Sequence, residues 1–165
     1  MAFDATVSGA NATSYITVAT ADTILGDTPG RSAWAALSQA QKEQALMAAT
    51  ARIEQEQRLF RGAVATTTQR LHWPRNYVTD SDGRLFASDA QPLPLQYATA
   101  ELAYAISQDS AFLDDTGLEG FRETQAGNVH IVPRHVRVAG ALPANVFRHL
   151  RLLLTGSGGA RAVRS

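Results

Sequence analysis

Apolar positions recur at helical spacing over two long stretches of the chain. From Gln39 towards Phe60 the sequence is rich in Ala, Gln, Glu, Met and Leu, and Leu46, Ala49, Ile53 and Phe60 fall on one stripe. Ser38-Gln39-Ala40-Gln41 has the Ser-x-x-Gln form of a capping box, which sets the start, and Gly62 is placed to end the element. The second stretch begins near Pro92 or Leu93 and runs to about Gln108. Leu95, Ala98, Leu102, Ala105 and Ile106 form its main stripe; Tyr97, Glu101 and Tyr104 form another at i, i+4, i+7. A helix apolar on two sides is deeply buried or lies between its core and a neighbouring subunit. That makes Tyr97, Glu101 and Tyr104 candidate subunit-interface residues.

Shorter elements flank these two. Thr17 caps a predicted helix over Val18–Leu25 that Gly26 ends, and Gly26-Asp27-Thr28-Pro29-Gly30 is a turn. Arg31–Leu37, centred on Trp34, reads as a short helix. Pro74 disfavours helical geometry at Trp73, so the chain bends there. Asp80-Ser81-Asp82-Gly83 is a turn between short apolar pieces within Val78–Phe86. The period then shortens: Phe121–Gln125 and Val129–Val132 read as a β-hairpin, and Arg134–Val138 as a third strand behind Pro133. Pro143 suits a first helical position before Val146, Phe147, Leu150, Leu153 and Leu154, in a helix running to Gly156. The fold predicted is mainly α, a small helical bundle with a β-hairpin or short sheet at about 121–138. Residues 1–13 form an N-terminal arm, 14–154 the helical domain and 155–165 a flexible basic tail.

The chain has 165 residues, 45% of them hydrophobic, enough for one domain that buries roughly 70% of its unfolded surface. It has no cysteine, which excludes disulfides, thiolate metal sites and cysteine nucleophiles. No apolar run approaches the ~18–20 residues of a membrane span, and the start lacks the basic and apolar segments of a signal. A soluble protein without a membrane partner is expected.

Charge changes the picture more. Residues 1–120 carry 8 Lys and Arg against 14 acids, a net of −6, and residues 121–165 carry 7 Arg against Glu123 alone, a net of +6. From Thr124 onward there are six arginines and no carboxylate. Such a split points to an anionic partner, nucleic acid or an acidic protein surface. Arginine outnumbers lysine 14 to 1, and the guanidinium suits interfaces better than simple solubility. Arginines recur at i, i+3 in Arg58/Arg61, Arg134/Arg137, Arg148/Arg151 and Arg161/Arg164. Like charges side by side repel, so a partner explains them better than stability does. The aromatic–arginine neighbours Trp73/Arg75 and Phe147/Arg148 are of the kind that stack on nucleic-acid bases, although Trp73 beside Pro74 reads first as a core plug.

Catalytic and metal chemistry find little support. Taking Gly83 as the sixth position of a calcium loop puts Val78 at the first position and Asp89 at the twelfth, where an oxygen ligand and a glutamate belong. The histidines His72, His130, His135 and His149 include no His-x-x-x-His pair. Gly156-Ser157-Gly158-Gly159 follows a helix and lacks the Lys-Ser/Thr of a phosphate loop, and no Gly-x-Ser-x-Gly occurs. The expectation is a protein that is not an enzyme and that needs no cofactor or metal.

Several segments fall in a recognisable order. Ser14-Tyr15-Ile16-Thr17 with Ala21-Asp22 resembles "SYVT…AD", and Trp34-Ala35-Ala36-Leu37-Ser38 with Lys42–Leu46 and Ala49-Thr50 resembles "W..LS..EKE.AL..AT". Phe60-Arg61-Gly62, Gln69–Arg75 and Asp82-Gly83 resemble "F.G…Q.L.WPR…D.DG", and Ala98–Ala103 is similar to "ATAELA". Over roughly residues 14–133 this order is similar to that of head–tail connector or adaptor (head-completion) proteins of tailed bacteriophages, some labelled as DnaT-like single-stranded-DNA-binding domains. Pro133–Leu142 departs from the pattern.

The resemblance implies a helical subunit of a homo-oligomeric ring, a dodecamer, beneath the portal protein. Such a ring extends the DNA channel towards the tail proteins and passes DNA without reading its sequence. It implies a virion protein of the neck, assembled in the host cytoplasm, whose C-terminal segment grips the portal. Opposite charges in the two parts of the chain suit head-to-tail contact of the kind that closes into rings. The candidate residues for contact with the portal or a neighbouring subunit are then Arg148, Arg151, Gly156, Gly158, Gly159, Arg161, Val163 and Arg164. The alternative is a DnaT-like single-stranded-DNA-binding protein.

Overall fold

The computed structural model describes residues 2–109, 124–126, 129–131 and 142–155. Helix α1 spans Val18–Gly26, α2 Gln39–Glu54, α3 Leu93–Gln108 and α4 Ala144–Leu150, with short 3-10 segments at Ser32–Ala36 and Gln57–Leu59. Two small antiparallel ladders join them: β1 (Ala63–Val64) with β2 (Arg75–Asn76), and β3 (Thr124–Ala126) with β4 (Val129–Ile131). The fold is mainly α with a small hairpin, as the periodicity predicts. The third strand expected over 134–138 lies outside the described residues.

The helix starts follow from local chemistry. Thr17 accepts a hydrogen bond from the Thr20 backbone N–H, and Ser38 and Gln41 exchange both bonds of the capping box. Two helix ends differ from expectation. Helix α2 stops at Glu54, not near Phe60, because Gln55 and Glu56 turn back to the i−3 carbonyls of Arg52 and Ile53. Phe60 stays buried, as its stripe position requires, but in extended backbone: it pairs with Leu154 and meets Trp73 edge-on at 5.9 Å. Helix α4 likewise ends at Leu150, with Leu153 and Leu154 turning into that pairing, and Pro143 is its cap, not its first residue.

Helix α3 is the centre of the molecule, packed on α2, α4 and α1. Its small buried residues, Ala98, Ala100 and Ala103, let the neighbours approach, while Leu95, Leu102 and Ile106 interlock with Leu46, Ile53, Val146 and Leu150. The N-terminal segment expected to be an arm folds back on this core. Thr13 and Ser14 donate backbone bonds to the Asp4 carbonyl, Phe3 packs against buried residues, and the Arg70 N–H reaches Gly9.

The motif residues build scaffold. Trp34 is buried and donates from Nε1 to Asp22 at 2.7 Å; Trp73 is buried too, joined by a cis peptide bond to Pro74. Gln69 ties the Leu71 and Pro74 carbonyls together at 2.7 and 3.1 Å. Glu54, at the end of α2, accepts bonds from the Tyr15 hydroxyl and from the backbone and Nδ1 of His72. A carboxylate only accepts, so Nδ1 carries the proton in that bond.

Candidate functional site

The second stripe of α3 brings two tyrosines together with groups from α4 and the turn after α1. Leu93 and Tyr97 lie one turn apart near its start, 65% and 41% exposed. The Tyr97 ring stacks on His149 of α4, with centroids 5.6 Å apart and planes 18° from parallel. One turn on, Glu101 is only 6% exposed. Its Oε2 accepts from Arg31 Nη2 at 2.7 Å and from Asn145 Nδ2 at 2.9 Å, tying the turn after α1 to both α3 and α4. At the next turn Tyr104 lies under the Arg31 guanidinium, 4.7 Å from carbon to ring centroid, and its hydroxyl donates to Gly30.

Helical spacing fixes what α4 shows. Val146 and Leu150 point inward, and Asn145 and His149 share the flank that meets α3. By the same spacing Arg148 stands on the outward crest, exposed, and Phe147 and Arg151 lie on the other flank, Phe147 at 45% exposure. Among the described residues Arg148 has no ion pair. The surface therefore presents an aromatic stack, a cation and a second ring in succession, flanked by the half-exposed Arg31. That guanidinium is held above its ordinary pKa chiefly by its hydrogen bond to Glu101, so it stays charged at any working pH.

Of the candidates read from the sequence, Tyr97, Glu101 and Tyr104 do come together on one line. The chain's own α4 and Arg31 cover much of that line, and Tyr97 is the member that keeps most surface. Arg148 is on α4 and Arg151 caps its end, both exposed. Gly156, Gly158, Gly159, Arg161, Val163 and Arg164 lie outside the described residues. Trp73 and Arg75 form no stacking platform. Trp73 is core, and Arg75 is buried with its guanidinium on the carbonyls of Arg61, Gly62 and His72, where burial pulls its pKa down. Arg61 is bound as well, to the carbonyls of Thr79 and Leu152.

His149, Asn145, Leu93 and Arg31 had no functional reading in the sequence. The i, i+4 spacing of Asn145 and His149 was the available signal, and it specifies one face of α4 without naming the helix it meets. Among the described residues no group of His, Asp and Glu is arranged to hold a metal ion, and no helix is long and apolar enough to cross a membrane.

The surface places the partly exposed Tyr97 ring, stacked on His149, near the exposed Arg148 guanidinium. A model of the family described as "Putative DnaT-like ssDNA binding protein" matches residues 1–165. No curated protein and no solved structure matches the chain.

Proposed function

The chain belongs to the family described as "Putative DnaT-like ssDNA binding protein", and from that premise we propose that it binds single-stranded DNA across the α3–α4 face. The observation that carries the reading is the Tyr97–His149 stack beside the exposed Arg148. Bases stack on the rings and phosphates pair with Arg148, in a chain that carries six arginines and no carboxylate from Thr124 onward. Stacking and phosphate pairing accept every base, so binding tolerates sequence and weakens steeply as salt rises. Titrating a labelled dT20 strand between 50 and 200 mM salt, followed by anisotropy, tests this; no complex at the lower salt would overturn it.

A second reading is the ring-forming head-to-tail adaptor of a phage neck, with portal and tail proteins as partners and the virion as its location. The ordered motifs over residues 14–133 and the −6/+6 charge split favour it. No match carries that description, and the motif residues Trp34, Gln69, Trp73 and Arg75 all serve the scaffold, so the likeness bears on fold more than on use. Native mass measurement separates the two: a closed ring of many copies without strand affinity supports the adaptor, and a strand-binding species of few copies supports the first reading.

A further inference from the structure

Gly30 and Arg31, which Tyr104 touches, also line a recess of about 610 Å³ between the end of α1, the following turn and the start of α2. Asp22, Thr28, Arg31, Ser32, Trp34 and Lys42 line it. Its volume falls within the ~300–1,000 Å³ of small-ligand sites.

The charges in it balance. Lys42 Nζ donates to Asp22 Oδ1 at 2.9 Å, and Arg31 is paired with Glu101 at 2.7 Å. Neither pair is saturated. Arg31 commits Nε and Nη2 to Glu101, which leaves the two protons of Nη1. Lys42 has donors beyond the one given to Asp22, and Asp22 takes both Trp34 Nε1 and Lys42 on Oδ1, which leaves Oδ2. The recess thus offers donors and an acceptor beside the exposed Pro29 and Ala35, with Trp34 buried behind Lys42 and with its charges paired. An anion finds each cation already matched, and a free cation finds each carboxylate matched. A neutral, flat, polar ring fits that set.

We propose that this recess takes one unstacked nucleobase of a bound single strand, a reading that rests on the strand-binding function above. Helical rise puts Tyr104 about 10 Å beyond Tyr97, a distance that one or two nucleotides of an extended, unstacked strand span. A strand stacked on Tyr97 and His149 then reaches the recess within one or two nucleotides, its phosphates left in solvent. Base in and phosphate out is the arrangement the charge balance asks for.

The test uses the full chain and unlabelled dT10, with Trp34 as reporter in the recess and Trp73 buried elsewhere. Saturation with dT10 quenches the tryptophan emission of the unsubstituted protein and leaves that of Trp34→Phe unchanged. Ser32→Phe, at an exposed position on the rim, weakens dT10 binding about tenfold by filling the space, as expected for one base contact. Binding that neither moves Trp34 emission nor responds to Ser32→Phe overturns the recess and leaves the strand-binding reading standing. Absence of any dT10 complex overturns both.

Discussion

The Asn145 side-chain amide donates to Glu101 Oε2 at 2.9 Å, sharing that oxygen with Arg31, so one carboxylate fastens α4 and the turn after α1 to α3. Removing it leaves two donors without a partner in a largely buried place. Glu101→Ala is expected to cost about 1–3 kcal/mol of stability. Glu101→Gln keeps one acceptor and costs less. Urea unfolding of both measures the difference, and a loss below about 0.5 kcal/mol for the alanine variant would mean the network is decorative.

Three glycines separate the cost of backbone shape from the cost of a clash. At Gly26 the backbone is ordinary and nothing lies within 4 Å of an added Cβ, so Gly26→Ala is neutral or gains up to ~1 kcal/mol. Gly30 has φ +78 with open space, so alanine there meets only the left-handed penalty, roughly 1–2 kcal/mol. Gly62 has φ +73, and its Cβ would stand 2.1 Å from the Asn76 carbonyl oxygen. Backbone cannot yield as a side chain can, so Gly62→Ala exceeds the Gly30 loss. Melting temperatures ranked in any other order would contradict this.

Much of the helical frame was legible in the sequence because capping boxes and apolar stripes are local. Ser38, Thr17 and the Leu95–Ile106 stripe each carry their own evidence. The errors came where distant segments compete for the same residues. Phe60 continues the α2 stripe, yet pairing with Leu154 takes it out of the helix, and nothing near residue 60 announces residue 154. The candidate site was half legible for the same reason. The spacing of Tyr97, Glu101 and Tyr104 put them on one line, but the groups that meet them, His149, Asn145 and Arg31, come from 70 residues before and more than 40 after.

Arg75 shows why an arginine in a short motif need not be a ligand contact. Nε and Nη2 each donate at 2.7 Å to the carbonyls of Arg61 and Gly62, and Nη1 at 3.2 Å to that of His72. Lysine has one nitrogen and cannot span three carbonyls. Arg75→Lys is expected to cost about 2 kcal/mol, chiefly through buried acceptors left unmatched, with no change in the salt dependence of strand binding. A variant of full stability would show the clamp to be dispensable.

Asp80 sets an acid limit on the turn that carries it, closed by the pairing of Thr79 with Leu85. The Arg84 backbone N–H, first among its partners, and that of Asp82 bond to its carboxylate, which holds its pKa below the ordinary 3.8. A carboxyl lowered on folding stabilises the fold above its unfolded pKa, and that contribution disappears as pH falls through the folded value. The loop is therefore intact at pH 5 and opens in acid below 3.8. Titration of the Asp80 carboxyl by NMR gives a midpoint under 3.8, together with loss of protection at the Asp82 and Arg84 amides. A midpoint at or above 3.8 would deny the bonds.

Tyr97 is the residue on which strand binding and subunit contact part company. Its ring is 41% exposed and stacked on His149, so Tyr97→Ala removes a platform without opening the core, and thermal stability changes little. One base–aromatic stack is worth roughly 1–3 kcal/mol, so strand affinity falls about 5- to 150-fold, while Tyr97→Phe keeps the ring and most of the affinity. Arg148→Ala acts differently: it removes a phosphate contact, so the slope of log affinity against log salt shrinks by about 1. Anisotropy titrations at four salt concentrations separate the two signatures. If Tyr97→Ala leaves strand affinity intact and instead changes the mass of the assembled species, the ring face belongs to a neighbouring copy and the nucleic-acid surface must be sought elsewhere.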